Sequence, residues 1–402
     1  MNILKRSYCR VFQFAFRLAM PILPYRKPTV YNKVSDLEPL LKELKVKSVL
    51  LVTDESLRKA GVTKNLEKIL SNCKIKCAVY DKTCANPTVK NVNEAKELYI
   101  KEKCECLIAF GGGSPMDCAK AVGALIAYPN KDLSKLKGLL KVLRKIPTLI
   151  AIPTTAGTGS EVTITAVITD SEKKHKYTMN DFTLIPRYAV LDPEVTYSLP
   201  PRFTSTTGMD ALTHVVEAYI GGSTTKETRA LSLEATKLIF NNVEKAYKNG
   251  NNHDARQNML IAAYKAGIAF SKSYVGYIHA IAHSLGGQYN IPHGLANAVV
   301  MPIVLEEYGK SAYKKLHDLG MAAGVVRKGD SYEKGAKKFI KAIRELNKKM
   351  DIPETIQGIK AEDISLMAKH ADKEANPLYP VPKLMNAKEL EVIYYKVADW
   401  SK

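Results

Sequence analysis

"CLIAFGGGSPMDCAKAVGALIAY", residues 106–128, joins an apolar run to a helix-patterned one through three glycines and a serine. The run from Cys106 to Phe110 is short, apolar and free of helix caps, as a buried parallel strand should be. Gly111, Gly112 and Gly113 let the backbone turn sharply and approach a ligand without a Cβ in the way. Ser114 suits a helix N-cap, Pro115 the first helical position, and Asp117 stands at capping-box distance. Free amides at such a helix start, with the helix dipole behind them, predict a pyrophosphate cradle. The alternative is a plain strand-to-helix turn. Met116 stands where a GxGxxG fingerprint would end, so that motif is not the one present.

Further strand patterns surround this one. "SVLLVT" (48–53), "CAVYD" (77–81) and "TLIAIP" (148–153) are apolar and β-branched. Between them "SLRKAGVTKNLEKILSN" and "TVKNVNEAKELYIKEK" carry helix-spaced apolar positions. Strand–helix–strand alternation predicts a doubly wound α/β layer. "VTITAVITD" and "KHKYTMN" predict a hairpin added to that layer. After "SLPP" (198–201) the texture changes to long helical patterns, among them "MDALTHVVEAYI" and "ARQNMLIAAYKAGIAFS". Two domains also suit a chain of 402 residues, too long for one ordinary core. The expected division is a basic amphipathic N-terminal extension (1–30), an α/β dinucleotide-binding domain (31–200) and an all-helical metal-binding domain (201–402).

Sixty basic residues against forty acidic ones give a net charge of +20. Such a charge attracts polyanions and anionic surfaces, but the lysines are spread along amphipathic stretches such as "KLKGLLKVLRK", as on a solvated face. No nucleic-acid-binding motif accompanies them, so no nucleic-acid partner is expected. The seven cysteines are odd in number, lie in the first third and form no CxxC. They read as small core hydrophobes in a reducing, cytoplasmic setting. The segment "MNILKRSYCRVFQFAFRLAMPILPYRKP" has no acid before Asp36. Arg10 and Arg17 interrupt its apolar run, which is far short of a membrane span. It is expected to form an amphipathic helix ending at Pro21 that packs on the body or on a partner subunit, with reversible contact with a membrane surface as the alternative and no stable membrane insertion.

In "GMDALTHVVEAY", Asp210 and His214 are spaced i, i+4 and project from one helix face. His279 and His283 repeat that spacing in "HAIAHSLGGQYNIPHG" (279–294), and His293 follows a glycine-bearing turn. A carboxylate with several imidazoles suits a divalent metal such as Fe²⁺ or Zn²⁺. His175, His253, His317 and His370 have no such company and default to structural or surface roles. In "IPTTAGTGSEVT" (152–163), Thr154, Thr155, Thr158 and Ser160 offer hydroxyls at a strand end, the usual ligand edge of an α/β sheet. Asp54, just after "SVLLVT", suits either a ribose 2′-hydroxyl contact in an NAD site or a cap for the next helix.

"GGGSPMDCAK", "PTTAGTGSEVT", "TGMDALTHVVEAYI" and "HAIAHSLGGQYNIPHGLANA" resemble, in order and separation, the iron-containing (group III) alcohol dehydrogenases. The resemblance implies the dehydroquinate synthase-like fold of that family, an α/β dinucleotide-binding domain followed by an all-helical metal-binding domain. Its metal-ligand pattern falls on Asp210, His214, His279 and His293. The histidine it leaves unligated near the nicotinamide falls on His283, as the proton relay. Its cofactor contacts fall on Asp54, Asn86, Gly112, Gly113, Ser114, Thr154, Thr155, Thr158 and Lys176, and its substrate channel on Phe270. The implied activity is hydride transfer between NAD(H) and a metal-bound small primary alcohol or aldehyde, by a homodimer using Fe²⁺ or Zn²⁺. Competing expectations are a glycerol dehydrogenase-like or dehydroquinate synthase-like enzyme, and more remotely a basic protein binding nucleic acid or a membrane surface. The Asp210/His214 pair with His279 and His293 favours the alcohol dehydrogenase pattern over the lyase's glutamate-and-two-histidine pattern.

Overall fold

The structure, a computed structural model, describes residues 1, 3–19, 22–171 and 175–401, apart from the side chain of His175. In chain order its first elements are α1 (Ile3–Ala19), β1 (Thr29–Tyr31), α2 (Leu37–Leu44), β2 (Ser48–Val52), α3 (Glu55–Lys59), α4 (Lys64–Asn72) and β3 (Lys76–Tyr80). There follow α5 (Val89–Lys101), β4 (Cys106–Gly111), α6 (Gly113–Ala127), β5 (Gly138–Leu139), β6 (Thr148–Pro153), β7 (Thr165–Asp170), β8 (His175–Asn180) and β9 (Tyr188–Val190). Helices then run to the end: α7 (Pro201–Ile220), α8 (Lys226–Lys248), α9 (His253–Ser273), α10 (Tyr277–Tyr289), α11 (His293–Tyr308), α12 (Tyr313–Ala322), α13 (Tyr332–Lys349), α14 (Ala361–Ala375) and α15 (Ala387–Val397).

The chain forms two compact units. One comprises Pro24–Leu199 with Gly250–Leu260, the other Met1–Leu23, Pro200–Asn249 and Ile261–Lys402. Helix α1 therefore groups with the helical unit, and strand β1 begins inside the stretch read as an N-terminal extension. The expected helix end at Pro21 lies outside the described residues.

In the α/β unit the main sheet is parallel, in the order β1-β9-β6-β4-β2-β3. Successive strand residues point to opposite faces. Accordingly Leu50, Val52, Leu107, Ala109, Leu149 and Ala151 enter one core, while Val49, Leu51, Ile108, Phe110, Ile150 and Ile152 enter the other. Both faces are covered, which is why these strands read as continuous apolar runs rather than alternating ones. The register sets Gly111 at the end of β4 against Pro153 at the end of β6. The glycine turn and the threonine-rich loop therefore start side by side.

Three local expectations need correction. The helix read across residues 56–72 is broken into α3 and α4 by Gly61, whose φ of +72° is left-handed. The hairpin β7–β8 is antiparallel but belongs with β5 to a separate three-stranded sheet, not to the main layer. Helix α6 is capped at Gly112, two residues earlier than Ser114, and the cap carries no side-chain bond. Gly111 imposes this: its φ is +154°, and a Cβ there would meet Pro115 Cγ at 2.6 Å. Cys84 is exposed and Cys73 and Cys77 are only partly buried, unlike the core cysteines Cys9, Cys104, Cys106 and Cys118.

Asp117 is accordingly not a capping-box partner. Its carboxylate accepts the Ser160 hydroxyl at 2.9 Å and the Val167 N–H at 3.1 Å. One helical turn on, the fully buried Lys120 donates to Ser160 Oγ and Thr163 Oγ1 at 3.0 Å, and to the carbonyls of Thr163 at 3.0 Å and Thr165 at 2.8 Å. Desolvation lowers the Lys120 ammonium to about 8, and lifts Asp117 to about 6 and Glu161 to about 7. A cation thus ties α6 to the loop and strand that follow β6. Lys120→Met is expected to lower the unfolding free energy by about 1–3 kcal/mol, the cost of leaving buried oxygen acceptors without their donor. Denaturant melts of the two proteins would read this directly, and a variant as stable as the parent would refute it.

Candidate active site

In the helical unit Asp210 and His214 lie on α7, His279 and His283 on α10, and His293 is the first residue of α11. The turn between α10 and α11 is made by Asn290 in the left-handed region, φ +55°, while Gly286 and Gly287 stay helical. Helix α11 crosses α7 closely: a Cβ on Gly294 would meet the Thr206 carbonyl oxygen at 2.4 Å. That approach carries His293, the neighbour of Gly294, to Asp210, one turn beyond Thr206 on α7.

Ligand atoms of Asp210, His279 and His293 all lie within 4.8 Å of one another. Asp210 Oδ1 is 3.4 Å from His293 Nε2 and 3.9 Å from His279 Nε2. Asp210 and His279 are buried, His293 is half-buried and His283 is exposed, so the group opens on its His293–His283 side. His214 is beside this group rather than in it. Its buried ring stacks on His279 at 4.6 Å and on Phe270 at 4.1 Å. His283 stacks on His293 at 5.2 Å.

Sequence reading missed three partners of these side chains. Glu217, buried on α7, accepts the N–H of Gly276 at 2.7 Å and of Ile278 at 2.8 Å, and bonds His279 Nδ1 at 2.6 Å. Burial pushes its carboxyl up, and the backbone amides of Gly276, Ile278 and His279 pull against the rise. Glu217 follows Asp210 and His214 at i+7, so a third polar residue on the same helical face was the available signal. Asn297, four residues after His293, donates to Asp210 Oδ1 at 2.7 Å and lies 3.1 Å from His293 Nε2. Glu374 accepts from His283 Nδ1 at 2.7 Å and from the Tyr379 hydroxyl at 2.8 Å. Burial works against its ionisation, but His283, Tyr379 and His293 outweigh it and hold the carboxyl below its ordinary range. No local pattern announces Glu374, which arrives from α14.

A divalent cation fits this arrangement. Burial, with His214, His293 and His283 nearby, holds His279 well below the ordinary histidine range, so its ring is neutral. With Nδ1 engaged by Glu217, its buried Nε2 has no hydrogen-bond partner. An unpaired buried acceptor is costly, and a metal ion is the partner a neutral imidazole nitrogen takes in such company.

In the α/β unit the cofactor candidates gather around the glycine turn. The Asn86 N–H donates to Ser114 Oγ at 3.3 Å, and Lys176 Nζ donates to Asn86 Oδ1 at 2.9 Å. Gly112 faces Thr155 and Gly113 faces Thr158, while the Thr154 N–H bonds the Gly111 carbonyl at 3.0 Å. The first amides of α6 lack a side-chain cap, and helix-start amides have no intrahelical acceptor. They suit an anion. Asp54 caps α3, accepting the Leu57 N–H at 3.0 Å on Oδ1. Of the histidines given no special role, His253 is exposed beside Asp254 and His317 is buried against Gly335.

An imidazole–carboxylate group in the helical unit and a glycine turn at the end of parallel strands are the features expected of a metal-assisted dehydrogenase. The sequence matches "Iron-containing alcohol dehydrogenase" over residues 29–193 and "Fe-containing alcohol dehydrogenase family, C-terminal" over residues 204–398. Alcohol dehydrogenase 4 of Saccharomyces cerevisiae is 37% identical over 339 residues, 83% of this chain and 87% of that protein. NAD-dependent methanol dehydrogenase of Bacillus methanolicus is 36% identical over 340 residues, 84% and 89% of the respective chains. The crystal structure of a 1,3-propanediol oxidoreductase superposes with a TM-score of 0.89 at 34% identity, covering 93% of this chain and 99% of that one. The chain belongs to the iron-containing alcohol dehydrogenase family. It is an NAD-linked oxidoreductase of alcohols and aldehydes.

If Glu217 orients His279, Glu217→Gln should weaken metal retention by about 10–100-fold, the usual cost of losing a partner behind a ligand. Metal analysis after dialysis against graded chelator would measure it. Retention equal to the parent's would remove Glu217 from the account.

Proposed function

We propose that Asp210, His214, His279 and His293 hold one divalent cation, Fe²⁺ or with similar ligands Zn²⁺, in an enzyme acting on small primary alcohols and aldehydes. The observation that carries this reading is the partnerless buried Nε2 of His279, with Asp210 Oδ1 3.9 Å away. His214, already stacked on His279, is the fourth ligand. A bound cation of this kind supplies Lewis-acid polarisation of the substrate oxygen, and the nicotinamide of NAD(H) supplies or accepts the hydride.

The remaining chemistry belongs to the chain. Gly112, Gly113 and Ser114 leave the α6 amides open to the pyrophosphate. The hydroxyls of Thr154, Thr155 and Thr158 contact the cofactor beside them, with Asn86 and Lys176 on the far side of the turn. Asp54 caps α3 with one oxygen and keeps the other for the ribose 2′-hydroxyl, where its charge disfavours a 2′-phosphate. His283 exchanges the reaction's proton with solvent at Nε2, because its Nδ1–H is held by Glu374 and imidazole titrates near neutral pH. Phe270, stacked on His214, lines the substrate channel. Residues 31–200 serve as the dinucleotide-binding domain and 201–402 as the metal-binding domain. The working form is a cytoplasmic homodimer. Among the described residues no helix is long and apolar enough to cross a membrane.

NADH oxidation by an aldehyde panel tests the reading. Chelator-stripped enzyme should fall to background and recover on adding Fe²⁺ or Zn²⁺. Undiminished turnover without metal would overturn it.

A further inference from the structure

Helix α1 is docked the wrong way round for an ordinary surface helix, which buries its apolar stripe. Its inward seam is polar. Gln13 Nε2 donates to the carbonyls of Tyr379 at 2.7 Å and Pro377 at 3.2 Å. The Arg10 guanidinium donates to the carbonyls of Val381 at 2.8 Å and Pro382 at 3.0 Å, and Lys5 pairs with Asp372 at 3.1 Å. Cys9 is buried on the same seam, and Phe16 sets its ring edge-on to Tyr274 at 4.9 Å.

At 100° per residue, Ile3, Leu4, Val11, Phe14 and Leu18 share the face opposite Cys9 and Gln13. All five are 60–82% exposed. Arg6 and Arg17 share one border of that face by the same spacing, beside Arg10, whose guanidinium is held by the helical unit, and Tyr8, 58% exposed, lies at the other. No acidic residue occurs before Asp36.

We propose that α1 is an interfacial anchor whose outward face lies in an anionic phospholipid surface, holding the enzyme peripherally on a membrane. An apolar face bordered by arginines is what such surfaces bind, by burying side chains at the headgroup boundary while the cations meet lipid phosphate. At 17 residues the helix is about 25 Å long and carries cations along its length, so it lies flat rather than spanning. Charge also selects this occupant over a second copy of the chain. Two such helices would bring their arginine borders together within proteins of net charge +20, whereas anionic lipid attracts both. The polar seam completes the logic. Hydrogen bonds fix the helix to the helical unit without consuming the apolar side chains.

The test is sedimentation of the full-length enzyme with vesicles of phosphatidylglycerol and phosphatidylcholine in equal parts, and with phosphatidylcholine alone. The parent protein should bind the anionic vesicles and release them as salt is raised. Phe14→Ser combined with Leu18→Ser, both on the outward face, should weaken binding by about tenfold or more and leave NADH-linked activity in solution unchanged. Equal binding by parent and double variant would overturn the proposal, as would a parent that stays in the supernatant. Loss of a dimer in the double variant, without vesicle binding by either protein, would assign the face to a second copy instead.

Discussion

One buried hydrogen bond, from His279 Nδ1 to Glu217, decides what the centre of the helical unit can do. It fixes the ring's direction and leaves the buried Nε2 without a hydrogen-bond partner. Glu217 can serve because two backbone amides at the start of α10 hold it as well. The site is thus tied to the helix that carries its histidines. Around it, sterics do the positioning: Gly294 lets α11 reach α7, and Asn297 spans Asp210 and His293. A buried neutral imidazole beside a carboxylate is a poor resting state without a partner and a good one with a cation.

The α/β unit solves a different problem with a similar device. Strand register sets the two ligand-edge loops together, but loops of small polar residues have little apolar surface to hold them. Lys120 supplies the missing restraint from below, with four oxygen contacts in a dry setting. Here too a buried polar group is satisfied by residues close in sequence to the ligand-contact candidates. Stability and binding geometry are therefore coupled.

Much of this was legible in the sequence. The apolar runs at 48–53, 77–81, 106–110 and 148–153 correspond to β2, β3, β4 and β6; β2, β4 and β6, buried on both faces, leave the plainest composition. The short strands β1, β5 and β9 carry too few residues for a pattern. The capping reading of Ser114 and Asp117 failed because it weighed side-chain caps and overlooked the backbone freedom of Gly111 and Gly112. Helical spacing was enough to mark Asp210 with His214 and His279 with His283 as same-face pairs, of which the structure brings Asp210 and His279 together with His293. It could not find Glu374, which reaches His283 through tertiary packing alone. Nor could it tell which way α1 would face: periodicity reveals an apolar stripe, not the side of the helix that turns inward.

The central claim is that one cation is shared by side chains from α7, α10 and α11. Anomalous diffraction from crystals of the iron- or zinc-loaded enzyme tests it most directly. A single peak within about 2.0–2.2 Å of Asp210, His214, His279 and His293 is the predicted result. A peak elsewhere, or one that His279 Nε2 does not touch, would contradict it.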